Sequence, residues 1–259
     1  MTLTTEQAQA IAQSYVDAKN KACALSIPPS GFDPESIDQG YFIQKQWLDI
    51  HAIAGKSLTG WKAAMSNQAA FDRFNLTEPL YGALFEDMLI TGDVLESAKV
   101  IAPKIEAEIV FILGEDITEN DISDEDILSC VSHLCPAFEI ADSRQEGWSF
   151  KRGSFLADNA VASYYKLGEK HDFKPEMMST PFMCRLLCGE TEIIGSSENV
   201  LNGPLGSFLS MVRQVIKLYG TVKEGQHFLS GTLTRPIDMT VGETYKLNVL
   251  DMDVELLYK

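Results

Sequence analysis

Hydrophobic and polar residues change their period along the chain, helical near the start and alternating near the middle. Ala8, Ile11, Tyr15 and Ala18 recur at three- and four-residue intervals, which predicts an amphipathic helix. Thr4 before them and Gln7 three residues later carry a capping-box signature. The segment Ile27-Pro28-Pro29-Ser30-Gly31 predicts a loop. Asp33-Pro34 then predicts the opening of a second helix, carried by Ile37, Tyr41 and Leu48 to about Gly55.

Further on the period becomes two. Between Val100 and Leu113, Ile105, Ala107, Ile109, Phe111 and Leu113 fall on one face of a strand, and Lys104, Glu106, Glu108, Val110 and Ile112 on the other. Asp121 to His133 predicts a helix. Ala137 to Asp142 and Ala160 to Leu167 predict strands, and Phe182 to Ile194 a hairpin about Gly189-Glu190. Pro204 opens a long helix with Phe208, Met211, Val212, Val215 and Tyr219 on one face, ended by Gly220. The tail from Thr244 to Tyr258 predicts two strands about Leu250-Asp251. This layout is α+β: an N-terminal helical region over residues 1–85 and a β-rich catalytic domain over 86–259. The boundary is soft and equally admits a single domain.

Composition narrows the function. At 259 residues and 45% hydrophobic content, the chain can bury a substantial core. Its 21 basic and 37 acidic side chains give a formal net charge of −16, and no basic face marks a nucleic-acid binder. A small anionic substrate would need a local positive centre, such as a metal or a lysine. Cys23, Cys130, Cys135, Cys184 and Cys188 form no CxxC pair and predict reduced, mostly buried thiols of a cytoplasmic protein. The first fifteen residues lack the pattern of a signal peptide, and no stretch approaches ~18 apolar residues, so no membrane span is expected.

The strongest chemical signal is Lys104-Ile-Glu-Ala-Glu-Ile109. Residues two apart on a strand face the same side, so Glu106 and Glu108 stand together. Two like charges at ~5 Å repel by roughly 3 kcal/mol at an effective dielectric of 20. A third carboxylate, Glu139, sits in the apolar strand around Pro136-Ala-Phe-Glu-Ile140. Three carboxylates suit a hard divalent cation such as Mg²⁺ or Mn²⁺. Equally, Glu106 and Glu108 could line the solvent face of an edge strand, and spacing alone does not choose between the two.

At these residues the chain resembles the fumarylacetoacetate hydrolase superfamily, and within it the 2-keto-4-pentenoate hydratase / 4-oxalocrotonate decarboxylase family. The matching segments are Gly60-Trp-Lys62, Glu78-Pro-Leu-Tyr-Gly82, Pro103-Lys-Ile-Glu-Ala-Glu108, Pro136-Ala-Phe-Glu139, Asp142-Ser-Arg144, Ala157-Asp-Asn159 and Leu229-Ser-Gly231, in family order over nearly the whole chain. The resemblance implies a mixed β-roll core with an N-terminal helical region and a homo-oligomer. It implies Glu106, Glu108 and Glu139 as ligands of Mg²⁺ or Mn²⁺, and a small 2-oxo or 2-hydroxydienoic acid of aromatic-compound catabolism as substrate. It makes Lys62 the active-site lysine, pairing with a substrate carboxylate or moving a proton. Ser66, Leu80 and Asp158 fall where substrate contacts are expected, with loop or structural roles open for Ser66 and Asp158. Arg144 is expected to pair with a carboxylate, without a catalytic role.

Three departures bear on the reaction. Leu80 stands where hydratases often carry an acidic residue, and water addition benefits from a carboxylate base that decarboxylation does not need. Leu80 therefore tilts the expectation toward decarboxylation. Val161 and Ala162 replace serines that usually reach the substrate, and Asn202-Gly203-Pro204 alters the entry to the last long helix. The alternatives are a C–C bond hydrolase of the same superfamily and a non-catalytic ligand-binding member. The hydrolase expects a His–Glu pair on an N-terminal lid, and none of His51, His133, His171 and His227 stands beside a glutamate there.

Overall fold

The computed structural model describes residues 3–119 and 121–259. The chain begins with helices α1 (Thr5–Lys21) and α2 (Ile37–Ile53), strand β1 (Leu58–Ala64), short helix α3 (Gln68–Phe74) and strand β2 (Leu80–Phe85). Next come β3 (Val94–Leu95), β4 (Lys104–Leu113), α4 (Asp124–Ser129), β5 (Val131–Ala141), α5 (Arg152–Ala157) and β6 (Ala162–Leu167). The rest is β7 (His171–Asp172), β8 (Met183–Cys188), β9 (Thr191–Ser196), α6 (Gly203–Tyr219), β10 (His227–Leu229), β11 (Ile237–Asp238), β12 (Thr244–Val249) and β13 (Met252–Tyr258).

Local chemistry explains most of these bounds. Thr4 accepts from Gln7 N while the Gln7 side chain accepts from Thr4 N, and the apolar face Ala8, Ile11, Tyr15 and Ala18 is buried. The second helix starts later than expected. The Asp33 carboxylate accepts from Glu35 N in a turn, and Ser36 is the residue that caps α2, accepting from Gln39 N. The helix expected over 121–133 is confined to α4. From Val131 onward the backbone pairs with β4, and His133 sits opposite Ile112. Sheet hydrogen bonding thus overrides the helical pattern of that segment.

Two sheets organise the strands. The larger runs β2-β1-β10-β4-β5-β6, with β11 pairing to β4 and β7 to β5. It is mixed: β1 and β10 are parallel, and the other pairs are antiparallel. The second sheet runs β3-β13-β12-β8-β9. Helix α6 lies on β1 and β10, where Phe208 stacks on Phe111 at 4.5 Å and meets Phe228 edge-on at 5.4 Å. A division at residue 85 would cut between strands of the large sheet, because β1 and β2 hydrogen-bond into it beside β10. Among the described residues, no helix is long and apolar enough to cross a membrane. Cys135, Cys184 and Cys188 are buried free thiols, whereas Cys23 is exposed.

Candidate active site

The register of β4 and β5 assembles the carboxylates. Glu106 lies directly opposite Glu139, and Glu108 follows two residues along the same face. One oxygen from each of the three falls within 4.8 Å of the others. Strand β4 is an interior strand, flanked by β10 and β5, so its glutamates do not line a sheet edge. Glu108 and Glu139 are fully buried, and Glu106 is half-buried.

Their hydrogen bonding is incomplete. Glu108 Oε2 accepts from Gly231 N at 2.8 Å, while Oε1 has no partner. Lys62 Nζ lies 2.7 Å from Glu139 Oε1 as an ion pair, yet neither Glu139 oxygen receives a well-aligned hydrogen bond. Buried carboxylate oxygens left this way are costly unless something else completes them. Burial, then the charge of Glu139, pushes the Glu106 carboxyl up to about 8, partly opposed by Lys62 and Lys104. Burial and the charges of Glu139 and Glu106 push Glu108 well above the usual carboxylate range.

These shifts give a signed expectation. A carboxyl raised in the folded state binds protons that the unfolded chain has already released. Stability of the metal-free protein is therefore expected to fall as pH rises from about 4.5 to about 8. Adding Mg²⁺ should flatten that slope, because the cation takes the place of the protons. Thermal melts at several pH values with and without Mg²⁺ check this, and parallel pH curves would count against a bound cation.

Each positioning element has a physical reason. Lys62 sits on β1 opposite Gly82 of β2, where a Cβ would approach Lys62 Cε to 3.1 Å and Asn159 O to 2.8 Å. Glycine there leaves room for the buried lysine stem. Gly231 has φ +105°, and a Cβ on it would come within 2.2 Å of Ser66 Oγ. Its bare backbone lets the amide close on Glu108 while Ser66 packs against it.

The site opens into a cavity of about 200 Å³ whose polar lining includes Lys62, Ser66, Thr232 and Glu106. Its apolar wall includes Phe74, Trp148, Phe150, Phe155 and Val161. A larger groove between α1 and α2, about 380 Å³, contains none of the three glutamates, so the chemistry singles out the smaller cavity. Leu80 is buried behind the wall, in an apolar cluster with Ala64, Phe155 and Val161, and does not line the cavity.

Asp158 requires a correction. It does not face the cavity. Both of its carboxylate oxygens are engaged by Arg144, one by Nε at 2.5 Å and the other by the backbone N–H at 2.9 Å, and both residues are fully buried. Arg144 also donates through its guanidinium to the carbonyls of Asp142, Ala162 and Asp158. The pair ties together the segments around residues 142 and 158. Asn159 is likewise structural, exchanging two 2.8 Å hydrogen bonds with the backbone of Ala83. Asn159, Ala160 and Val161 then run in the left-handed region at φ 48°, 50° and 53°. For the β-branched Val161 that conformation stores strain, held beside the cavity it lines. Sequence reasoning missed Arg73, Thr232 and the aromatic wall; the cluster Trp148-Ser-Phe150 with Phe155 was the available signal.

No family model matches the sequence. The 2-keto-4-pentenoate hydratase of Paraburkholderia xenovorans (strain LB400) is 26% identical over 250 residues, spanning 95% of this chain and 93% of that protein. The 2-oxo-hept-4-ene-1,7-dioate hydratase of Escherichia coli is 25% identical over 251 residues, spanning 93% and 94%. The solved 4-oxalocrotonate decarboxylase from Pseudomonas putida G7, complexed with magnesium and adipate, superposes with a TM-score of 0.91. It shares 21% identity and covers 100% of this chain and 99% of that one. The chain is thus similar in sequence, over most of its length, to these hydratases, and in fold to the decarboxylase. Its fold is the fumarylacetoacetate-hydrolase-like α+β architecture that the resemblance implied.

Proposed function

We propose that this protein is a divalent-metal-dependent lyase acting on small 2-oxo acids, with Glu106, Glu108 and Glu139 holding Mg²⁺ or Mn²⁺. The observation that carries the reading is the buried, under-bonded carboxylate cluster. Three carboxylates against the single ammonium of Lys62 leave two negative charges, the complement of a dication. All donors are oxygens, which suits a hard ion; Glu108 Oε1 and Glu139 Oε2 have no partner, and Glu139 Oε1 has only the Lys62 ammonium beside it. A bound divalent ion would supply a Lewis acid for a 2-oxo carboxylate.

The other residues then take definite tasks. Lys62 is one of two cations lining the cavity, and the only one able to give up a proton, since the guanidinium of Arg73 stays charged. It orients a carboxylate beside Glu139 and returns a proton to the carbon chain. Ser66 and Thr232 offer hydroxyls, and the aromatic wall excludes water.

Decarboxylation is the reaction this cavity favours. Among the described residues, Glu106 is the only carboxylate in its lining, so no spare base is present to activate water. Leu80 continues the apolar backing of that wall. The hydratase relatives supply the second reading, addition of water to a 2-hydroxydienoate. Incubation with Mg²⁺ and either 4-oxalocrotonate or 2-hydroxypenta-2,4-dienoate separates them. The expected result is CO₂ release from the first at above ~1 s⁻¹, within the usual enzyme range. Hydration of the second without CO₂ release from the first would reassign the protein as a hydratase. Turnover of neither would leave a non-catalytic ligand-binding member.

A further inference from the structure

Val161 and Ala162, the two apolar residues that stand where the resemblance places serines, part company in the structure. Ala162 belongs to the main core, pairs with Ala141 across the sheet and gives its carbonyl to Arg144. It does not line the cavity. Val161 does, and it is 2% exposed. Its φ of 53° follows 48° at Asn159 and 50° at Ala160. That left-handed conformation crowds a β-branched side chain. The backbone is held there without help from the side chain. Val161 N donates to Asp158 O at 2.8 Å, and Asp142 N donates to Val161 O at 2.9 Å. A serine would keep both hydrogen bonds with less crowding. An isopropyl group therefore occupies this part of the wall at a conformational cost.

The neighbours of Val161 place it on the Lys62 side of the cavity. A Cβ on Gly82 would meet both Lys62 Cε, at 3.1 Å, and Ala160 Cβ, at 3.2 Å, so the left-handed run lies against the lysine stem. Lys62 Nζ lies 6.0 Å from the centroid of the Phe155 ring, and Phe155 shares an apolar cluster with Val161, Leu80 and Ala64. The lining hydroxyls gather elsewhere. Ser66 packs against Gly231, the residue before Thr232. Phe155 and Val161 offer a ligand neither donor nor acceptor through their side chains. A hydroxyl pressed against them loses its water partners and gains none.

We propose that Val161 is a specificity-determining residue that rejects a hydroxyl on the carbon chain of the substrate. The inference rests on the reading of this cavity as a 2-oxo acid site. It narrows the substrate to acids whose chain carries no hydroxyl where it passes Lys62. The same wall denies a hydrogen-bond partner to a water molecule at that place. Val161 acts by apolar contact and takes no part in bond making.

Probe ligands that differ by one hydroxyl test the assignment. 2-Oxopentanoate and each enantiomer of 4-hydroxy-2-oxopentanoate are titrated calorimetrically, with Mg²⁺, into wild type, Val161→Thr and Val161→Ser. Wild type should bind 2-oxopentanoate about tenfold more tightly than either enantiomer, the scale of one buried hydroxyl left without a partner. Val161→Thr keeps the size and branching of valine and adds only a hydroxyl. It should bring the ratio for at least one enantiomer to about twofold or less, while 2-oxopentanoate affinity stays within about threefold. Val161→Ser, free of the crowded branch, should shrink the ratio in the same way and serves where the threonine variant does not fold; melting curves show which variants are folded. Equal affinities in wild type, or a tenfold ratio that survives in the folded variants, would overturn the role of Val161 while Mg²⁺-dependent binding of 2-oxopentanoate upheld the site. Failure of all three acids to bind with Mg²⁺ would overturn the site and this inference together.

Discussion

Glu108→Gln is expected to stabilise the metal-free protein while removing its response to Mg²⁺. Glu108 is fully buried, one of its oxygens has no partner, and two other carboxylates lie beside it. Charged, it suffers repulsion of roughly 3 kcal/mol per close neighbour at an effective dielectric of 20. Protonated, it carries the cost of neutralising an acid far above its ordinary range. An amide avoids both, and its carbonyl can still accept from Gly231 N. The gain should therefore grow with pH. At 2–4 °C per kcal/mol for a chain of this size, the metal-free melting temperature should rise by at least about 3 °C at pH 8. Wild type in Mg²⁺ at about 100 times its Kd should gain about 2.7 kcal/mol, and the variant none. Turnover should fall by about a hundred- to a thousandfold, the scale of losing an electrostatic catalyst. Paired melts with and without EDTA read both effects. A variant less stable than wild type without metal would mean the cluster is not frustrated.

Asp158→Ala should produce the largest loss of stability. It strands the fully buried guanidinium of Arg144 without a counter-charge and removes the acceptor of the Arg144 backbone N–H. Breaking a buried pair from one side costs about 3–5 kcal/mol. The corresponding drop in melting temperature is roughly 6–20 °C. Because Asp158 faces Arg144 rather than the cavity, the protein that remains folded should keep the wild-type KM. A small stability change with a raised KM would restore Asp158 as a substrate contact.

The contrast between these two residues shows what the sequence carries. Alternation along β4 placed Glu106 and Glu108 on one face, and the structure has them there. Whether β4 was an edge strand depended on β10, three residues long, which arrives after a long helix and pairs with Val110, Phe111 and Ile112. No local pattern announces a pairing made across more than a hundred residues. Lys62 was legible only through the Gly60-Trp-Lys62 resemblance, and the strand that carries it, Leu58–Ala64, is buried on both faces from Gly60 onward and shows no period of two. Asp158 shows the converse. A motif fixes residue types, but the direction of a side chain is set by the partner that satisfies it, here Arg144. Arg73 and the aromatic wall sit on short helices and on loops, where hydrophobic periodicity says little about what lines a cavity.

Chemistry in this cavity is expected to depend on a divalent ion held by Glu106, Glu108 and Glu139. Turnover of 4-oxalocrotonate and of 2-hydroxypenta-2,4-dienoate, measured as prepared, after EDTA treatment and dialysis, and after Mg²⁺ is restored, tests it most directly. Activity should vanish with EDTA, return with Mg²⁺, and not return in Glu106→Gln. Turnover that survives metal removal, or that persists in Glu106→Gln, would contradict it.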